Sequence, residues 1–251
     1  MNELLGLSYS PWTEKARWAL DVRRVPYRLR HYQPLIGEPA LRLKLRRLAG
    51  RVSVPVLTTE DGRVIADSAD IARWADARGE GPTLFPAEHE AAIDRFVALS
   101  ERAMAAGRGL SLERMLADDA ALAEMVPGPI RRTLGPIAVR VGRLGVARTL
   151  RKYDGHRAGG DVHRRALIAA LDEIRAALAE APAGETPRTL LGRFTFADIA
   201  AAQALVFVEP PATGLKLGVA SRRSFSDPEL RERYADLIAW RDDLYRAFRK
   251  S

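Results

Sequence analysis

The chain changes character near residue 85. Before that point short apolar runs alternate with stretches of helical periodicity; after it the pattern is helical almost throughout. That change predicts a small α/β unit followed by an all-helical one. In the first part a strand is expected over 4–8, a helix over 11–23, a half-buried strand over 25–32 and a short basic helix over 41–48. Val54-Pro55-Val56-Leu57-Thr58, then Asp61-Gly62, then Arg63-Val64-Ile65 reads as a hairpin with a two-residue turn. Ser68 is expected to cap a helix over 69–78 that Gly79 stops. The order is βαβ, helix, ββα. It sets domains at 1–80 and 89–251, with a linker at 81–88 that carries Gly81, Pro82 and Pro86.

In the second part helices are expected over 87–107 and 112–125, then through a basic segment broken near Gly135-Pro136. Leu167, Leu171, Ile174 and Leu178 mark a strongly amphipathic helix over 161–180. Thr195-Phe-Ala-Asp198 has the form of a capping box opening a buried helix over 199–208, which Pro210-Pro211 ends. Asp227-Pro228 starts a last helix that runs to about residue 248.

Composition excludes several chemistries. The 251 residues include no Cys, so disulfides, thiolate metal sites and a cysteine nucleophile are absent. His31, His89, His156 and His163 are scattered without metal-ligand spacing, so no metal is expected. No apolar run reaches membrane-span length and the N-terminus lacks a signal-peptide pattern, which makes a cytoplasmic location the expectation. The net charge of +8 arises within residues 128–165, where ten Arg or Lys face only Asp154 and Asp161. With no accompanying nucleic-acid motif, nucleic acid is not expected as a partner. The plain reading is a helical face whose arginines are solvated or paired; contact of 129–153 with an anionic membrane, or an acidic substrate, is the functional alternative.

Chemistry concentrates at the first strand-to-helix junction. The apolar run Leu4 to Leu7 gives way to Ser10-Pro11, and Trp12, Ala16, Ala19 and Leu20 then recur at helical spacing. Proline is well tolerated in a first helical turn, and that turn gathers unpaired N–H groups and the positive end of the helix dipole. Such a place stabilises an anion, and a thiolate in particular.

Ser10-Pro11-Trp12-Thr13-Glu14-Lys15-Ala16-Arg17, Val54-Pro55-Val56-Leu57, Asp67-Ser68 and Gly192 to Asp198 occur in one order. In that order they resemble the glutathione transferase superfamily, with its thioredoxin-like N-terminal domain and all-helical C-terminal domain. The first stretch is similar to the site of the serine and cysteine classes, where basic residues follow at the positions of Lys15 and Arg17. The likeness extends over nearly the whole chain.

The resemblance implies a glutathione site. Ser10 would donate to the glutathione thiolate. A free thiol titrates near pH 8.5, and lowering that by roughly two units needs about 2.7 kcal/mol of preferential anion stabilisation. Tyr9 is the alternative hydroxyl, two residues before the proline, and Thr13 a further one; strand alternation would point Tyr9 and Ser10 to opposite sides. Val54, before the family's cis-proline at Pro55, would pair with the cysteinyl backbone. Asp67 and Ser68 would hold the γ-glutamyl end, with Asp67 standing where the family more often has Glu. Arg51 and Ser53 lie near the family's basic contact before the Val-Pro pair, Arg51 offset by one or two positions. Trp12 is a candidate for lining the electrophile pocket or for packing between domains. Trp18 and Trp74 fall at core positions, and Asp198 reads as structural. The implied protein is a homodimer in which glutathione attacks an apolar electrophile. Glutathione-dependent isomerisation or dehalogenation, peroxidase activity, and a non-catalytic binding or scaffold role remain the alternatives.

Overall fold

The computed structural model describes residues 1–34, 36–153 and 159–249; Asp154 and His156 lie outside the described residues. Its first part is built from β1 (Asn2–Gly6), α1 (Pro11–Val22), β2 (Tyr27–His31), α2 (Glu38–Leu45), β3 (Val56–Thr58), β4 (Val64–Ala66) and α3 (Ser68–Arg78). The four strands form one mixed sheet in the order β2-β1-β3-β4, with β1 parallel to β2 and antiparallel to β3, and β3 antiparallel to β4. Side chains alternate across it as period-two geometry requires. Leu4, Leu57 and Ile65 pack against Ala16, Leu20 and Ile71 of α1 and α3, whereas Leu5, Val56 and Ala66 face Leu41 of α2.

The helical part comprises α4 (Glu90–Leu116), α5 (Asp119–Glu124), α6 (Gly128–Leu134), α7 (Ile137–Tyr153), α8 (Gly160–Ala179), α9 (Phe196–Ala204), α10 (Val219–Phe225), α11 (Pro228–Arg233) and α12 (Ala235–Phe248). Every residue of α9 is buried. Its start is fixed by Asp198, whose two carboxylate oxygens accept from the N–H groups of Thr195 at 2.9 Å and Leu190 at 2.8 Å. Trp18 and Ala19 of α1 and Ala72 of α3 share one core with α4, α8 and α9, so the sheet unit and the helical unit are continuous through apolar packing.

Several local expectations are corrected. The first strand spans 2–6, and residues 7–10 form a turn closed by the Ser10 N–H on the Leu7 carbonyl at 3.0 Å; strand alternation therefore does not apply to Tyr9 and Ser10. The hairpin turn has three residues, Glu60-Asp61-Gly62, because Thr59 still pairs with Arg63 and Gly62 takes φ of +83°. Asp67, rather than Ser68, caps α3. The predicted helices at 87–107 and 112–125 are one long α4 followed by the short α5. Gly107 and Gly109 do not break α4: an added Cβ would come within 2.5 Å of Phe207 at the first and of His163 at the second, so both glycines serve close packing. The last helix is split at Tyr234, and α10 has no counterpart among the expected helices. The basic segment does divide at Gly135, into α6 and α7.

Candidate active site

Strand register brings three junctions to one end of the sheet. Val56 opens β3 opposite Leu5, near the end of β1, and opposite Ala66, the last residue of β4. The chain leaving β1 towards Ser10, the chain entering β3 through Val54 and Pro55, and the chain leaving β4 into Asp67 and Ser68 therefore lie at the same edge. The Val54–Pro55 peptide is cis.

Ser10 is the N-cap of α1, with Pro11 as the first helical residue, and its hydroxyl makes no capping bond. The turn that presents it is held from several sides. Thr13 Oγ1 accepts from the Leu7 N–H at 3.1 Å, the Lys216 N–H donates to the Ser8 carbonyl at 2.9 Å, and the Glu14 N–H donates to the Ser10 carbonyl at 3.0 Å. Burial pushes the Tyr9 phenol up to about 12, so it keeps its proton across the neutral range.

Asp67 takes φ of +81°, a left-handed conformation that is costly for a residue with a Cβ. Its Oδ1 accepts from the Ala69 N–H at 2.8 Å. That conformation carries Ser68 into the first turn of α3, where it is 1% exposed and its Oγ has no hydrogen-bond partner among the described residues. A buried hydroxyl without a partner costs stability, and here it stands beside helix N–H groups suited to a carboxylate.

The remaining predicted residues turn towards the helical part. Trp12 Nε1 donates to Glu101 Oε2 of α4 at 2.7 Å, and the fully buried Lys15 reaches Glu101 Oε1 at 2.5 Å. Arg17 joins Glu14 at 2.9 Å and the Gly214 carbonyl at 2.9 Å. Lys15 and Arg17 thus fasten α1 to the helical unit. Arg51 is exposed and reaches the Tyr153 carbonyl, the end of α7, at 3.5 Å. Two residues were missed in the sequence. Arg108 of α4 lies 4.9 Å from the Trp12 ring and 3.9 Å from the Tyr153 ring, a contact that no local pattern announces.

A groove of about 850 Å³ along β4, α2 and α3 holds none of the predicted site residues. A smaller one, about 370 Å³, lies between α2 and α7 and includes Arg51. Among the described residues no cluster of His, Cys, Asp and Glu is placed to hold a metal ion, and no helix is long and apolar enough to cross a membrane.

Residues 9–78 match the glutathione S-transferase N-terminal domain family and residues 143–243 the glutathione S-transferase C-terminal domain family. The chain belongs to the glutathione transferase superfamily. A probable glutathione S-transferase of Zea mays is 37% identical over 105 residues, covering 37% of this chain and 42% of that protein. A probable glutathione S-transferase of Solanum tuberosum is 32% identical over 95 residues, covering 38% and 42%. These matches span well under half the length of either relative. The fold is shared with a glutathione S-transferase domain-containing protein of Marinobacter aquaeolei VT8, at 20% identity and TM-score 0.60 over 98% of both chains. It is also shared with a glutathione S-transferase of Methylobacillus flagellatus KT solved with GSH bound, at 18% identity and TM-score 0.58 over 96% of this chain and 93% of that one.

Proposed function

We propose that this chain is a glutathione transferase in which Ser10 stabilises the glutathione thiolate for attack on an electrophilic small molecule. The observation that carries the reading is the convergence at one sheet end of an N-cap serine with an uncommitted hydroxyl and a buried serine, Ser68, with an unpartnered one. Glutathione is the co-substrate, bound by residues 1–80. The segment 81–88 is the linker, and 89–251 supplies the wall for the electrophile. The backbone of Val54 pairs with the cysteinyl unit beside Pro55. Ser68 and the first turn of α3 receive the γ-glutamyl carboxylate, and Asp67 answers its ammonium. Arg51 contributes a cation at the other end of the tripeptide. Trp12 borders the electrophile.

The work required of Ser10 is modest. A hydrogen bond to a charged acceptor contributes about 1.5–3 kcal/mol and a helix N-terminus up to about 1 kcal/mol, which together cover a two-unit fall in thiol pKa. The thiolate then attacks the electrophilic carbon, and the leaving group departs with the bonding pair. Ser10 is preferred to Tyr9 because its hydroxyl stands at the helix cap itself. A cytoplasmic homodimer is part of the reading.

Calorimetric titration of glutathione into the wild type and Ser10→Ala, with a chlorodinitrobenzene conjugation assay on both, tests it. The expected outcome is binding by both proteins and loss of most turnover in Ser10→Ala. Wild-type binding without turnover would favour the non-catalytic reading, and absence of binding would end the glutathione assignment.

A further inference from the structure

The basic stretch that gives the chain its net charge divides, once folded, into paired and unpaired cations. Residues 128–153 hold seven Arg or Lys and no acidic side chain. Arg143 of α7 is tied to Asp119 at 3.0 Å and to the Leu116 carbonyl at 2.9 Å, and Arg148 and Lys152 share Glu38 at 3.4 Å and 3.3 Å. Arg131 and Arg132 of α6 and Arg140 of α7 are exposed and form no ion pair among the described residues. The acids of the neighbouring elements are committed elsewhere. Asp118 holds Arg223 at 2.9 Å. Glu124, which Arg131 meets only through its field, accepts from the N–H groups of Ala220 at 3.1 Å and Ser221 at 2.8 Å.

Large aliphatic side chains lie among these cations. Ile130 of α6 and Ile137 and Leu144 of α7 are each more than half exposed. Ile137, Arg140 and Leu144 stand at i, i+3 and i+7, which places them on one stripe of the helix. Packing fixes the opposite face: Ala138, Gly142 and Val146 are buried, and a Cβ added at Gly142 would run into the Leu122 carbonyl of α5. The stripe therefore cannot turn inwards. α6 buries none of its residues. A polyanion such as nucleic acid would match the charges of this surface and leave its aliphatic groups in water. An anionic bilayer matches both. Its headgroups attract the guanidinium groups, and Ile and Leu sink to the acyl boundary below them while the arginine stems reach back up.

We propose that α6 and the outward stripe of α7 form a docking surface for an anionic lipid bilayer, seating the chain on a membrane without crossing it. Arg131, Arg132 and Arg140 supply the attraction, and Ile130, Ile137 and Leu144 the hold. The surface uses no residue of the proposed glutathione site, so it stands or falls apart from the transferase reading.

Co-sedimentation tests it, with vesicles of phosphatidylcholine alone and of phosphatidylcholine mixed with phosphatidylglycerol, at low and at physiological salt. The wild type is expected to bind the mixed vesicles, to bind them less as salt rises, and to leave the neutral ones. Arg131→Gln/Arg132→Gln/Arg140→Gln should weaken partitioning about thirtyfold to a hundredfold at low salt, and the matching lysine variant should recover most of the loss. Ile137→Gln/Leu144→Gln should weaken it about tenfold and keep the salt dependence. If the triple glutamine variant failed to fold, the wild type and the Ile137→Gln/Leu144→Gln pair would decide in its place. Absence of wild-type binding to the mixed vesicles overturns the proposal. So does undiminished binding by Ile137→Gln/Leu144→Gln, or tighter wild-type binding to duplex DNA than to the mixed vesicles, which would give the surface to a polyanion. A smaller oligomer in Ile137→Gln/Leu144→Gln than in the wild type, by light scattering, also overturns it and gives the stripe to a second copy of the chain.

Discussion

Three hydroxyls near the sheet end do three different things, and each is separable by one substitution. Thr13 Oγ1 is committed to the Leu7 N–H, so it shapes the turn that presents Ser10. Thr13→Val keeps the shape and removes the acceptor. It is expected to cost about 1–2 kcal/mol in denaturant unfolding, because a partly buried N–H is left unpaired. Ser68 is the opposite case. Its Oγ is buried without a partner among the described residues, so Ser68→Ala should leave the unfolding midpoint unchanged or slightly raised while weakening glutathione binding about tenfold by calorimetry. A fall in stability with intact glutathione binding would remove Ser68 from the site. Ser10 was legible in the sequence because a proline and a helical pattern directly follow it. The strained backbone of Asp67 was not, since the same two residues also read as an ordinary helix start.

Among the elements, the local signal at Thr195–Asp198 held, while the hairpin turn and the cap of α3 each shifted by one residue. The box at Thr195–Asp198 closes over four residues and could be read directly. Gly107 and Gly109 look like a helix end, yet their meaning lies in Phe207 and His163, which are far along the chain. The carboxyl of Asp198 is fully buried, and burial raises it to about 7 against the pull of the Leu190 and Thr195 N–H groups. Its unfolded counterpart titrates near 4. Between those values the folded chain holds a proton that the unfolded chain has lost, so this group stabilises the fold at low pH and the contribution fades as pH rises towards 7. Asp198→Asn should therefore be less stable overall, because its amide cannot accept both N–H groups. It should also show a flatter dependence of unfolding midpoint on pH between about 4 and 7. An unchanged slope would place the titration elsewhere.

Across the whole molecule, the two units are fastened by charges that gather on α1. Arg249 reaches Glu14 at 2.6 Å and Asp21 at 2.7 Å from beyond α12, and Lys15 with Trp12 grips Glu101 of α4. Glu101→Gln would leave the buried Lys15 without its counter-charge. With Glu101 itself partly exposed, the expected cost is about 1–2 kcal/mol by urea unfolding, and a neutral effect would show that solvent already compensates Lys15. In the sequence Lys15 and Arg17 match a family pattern; their partners in the helical unit, Glu101 and the Gly214 carbonyl, lie 86 and 197 residues away and could not be seen. The fold class and the junctions at Ser10, Pro55 and Ser68 were thus readable, because they rest on neighbours in sequence. The seam of Arg108, Tyr153 and Trp12 was not, because it exists only once the units pack.

If Ser10 lowers the pKa of a bound thiol, as proposed, the shift is readable on the thiol itself. Its most direct measurement is a pH titration of the ultraviolet thiolate band of glutathione bound to the wild type and to Ser10→Ala. In the wild type a thiol pKa about two units below the free value near 8.5 is expected, with a return most of the way towards it in Ser10→Ala. Equal thiol pKa values in the two proteins would contradict it.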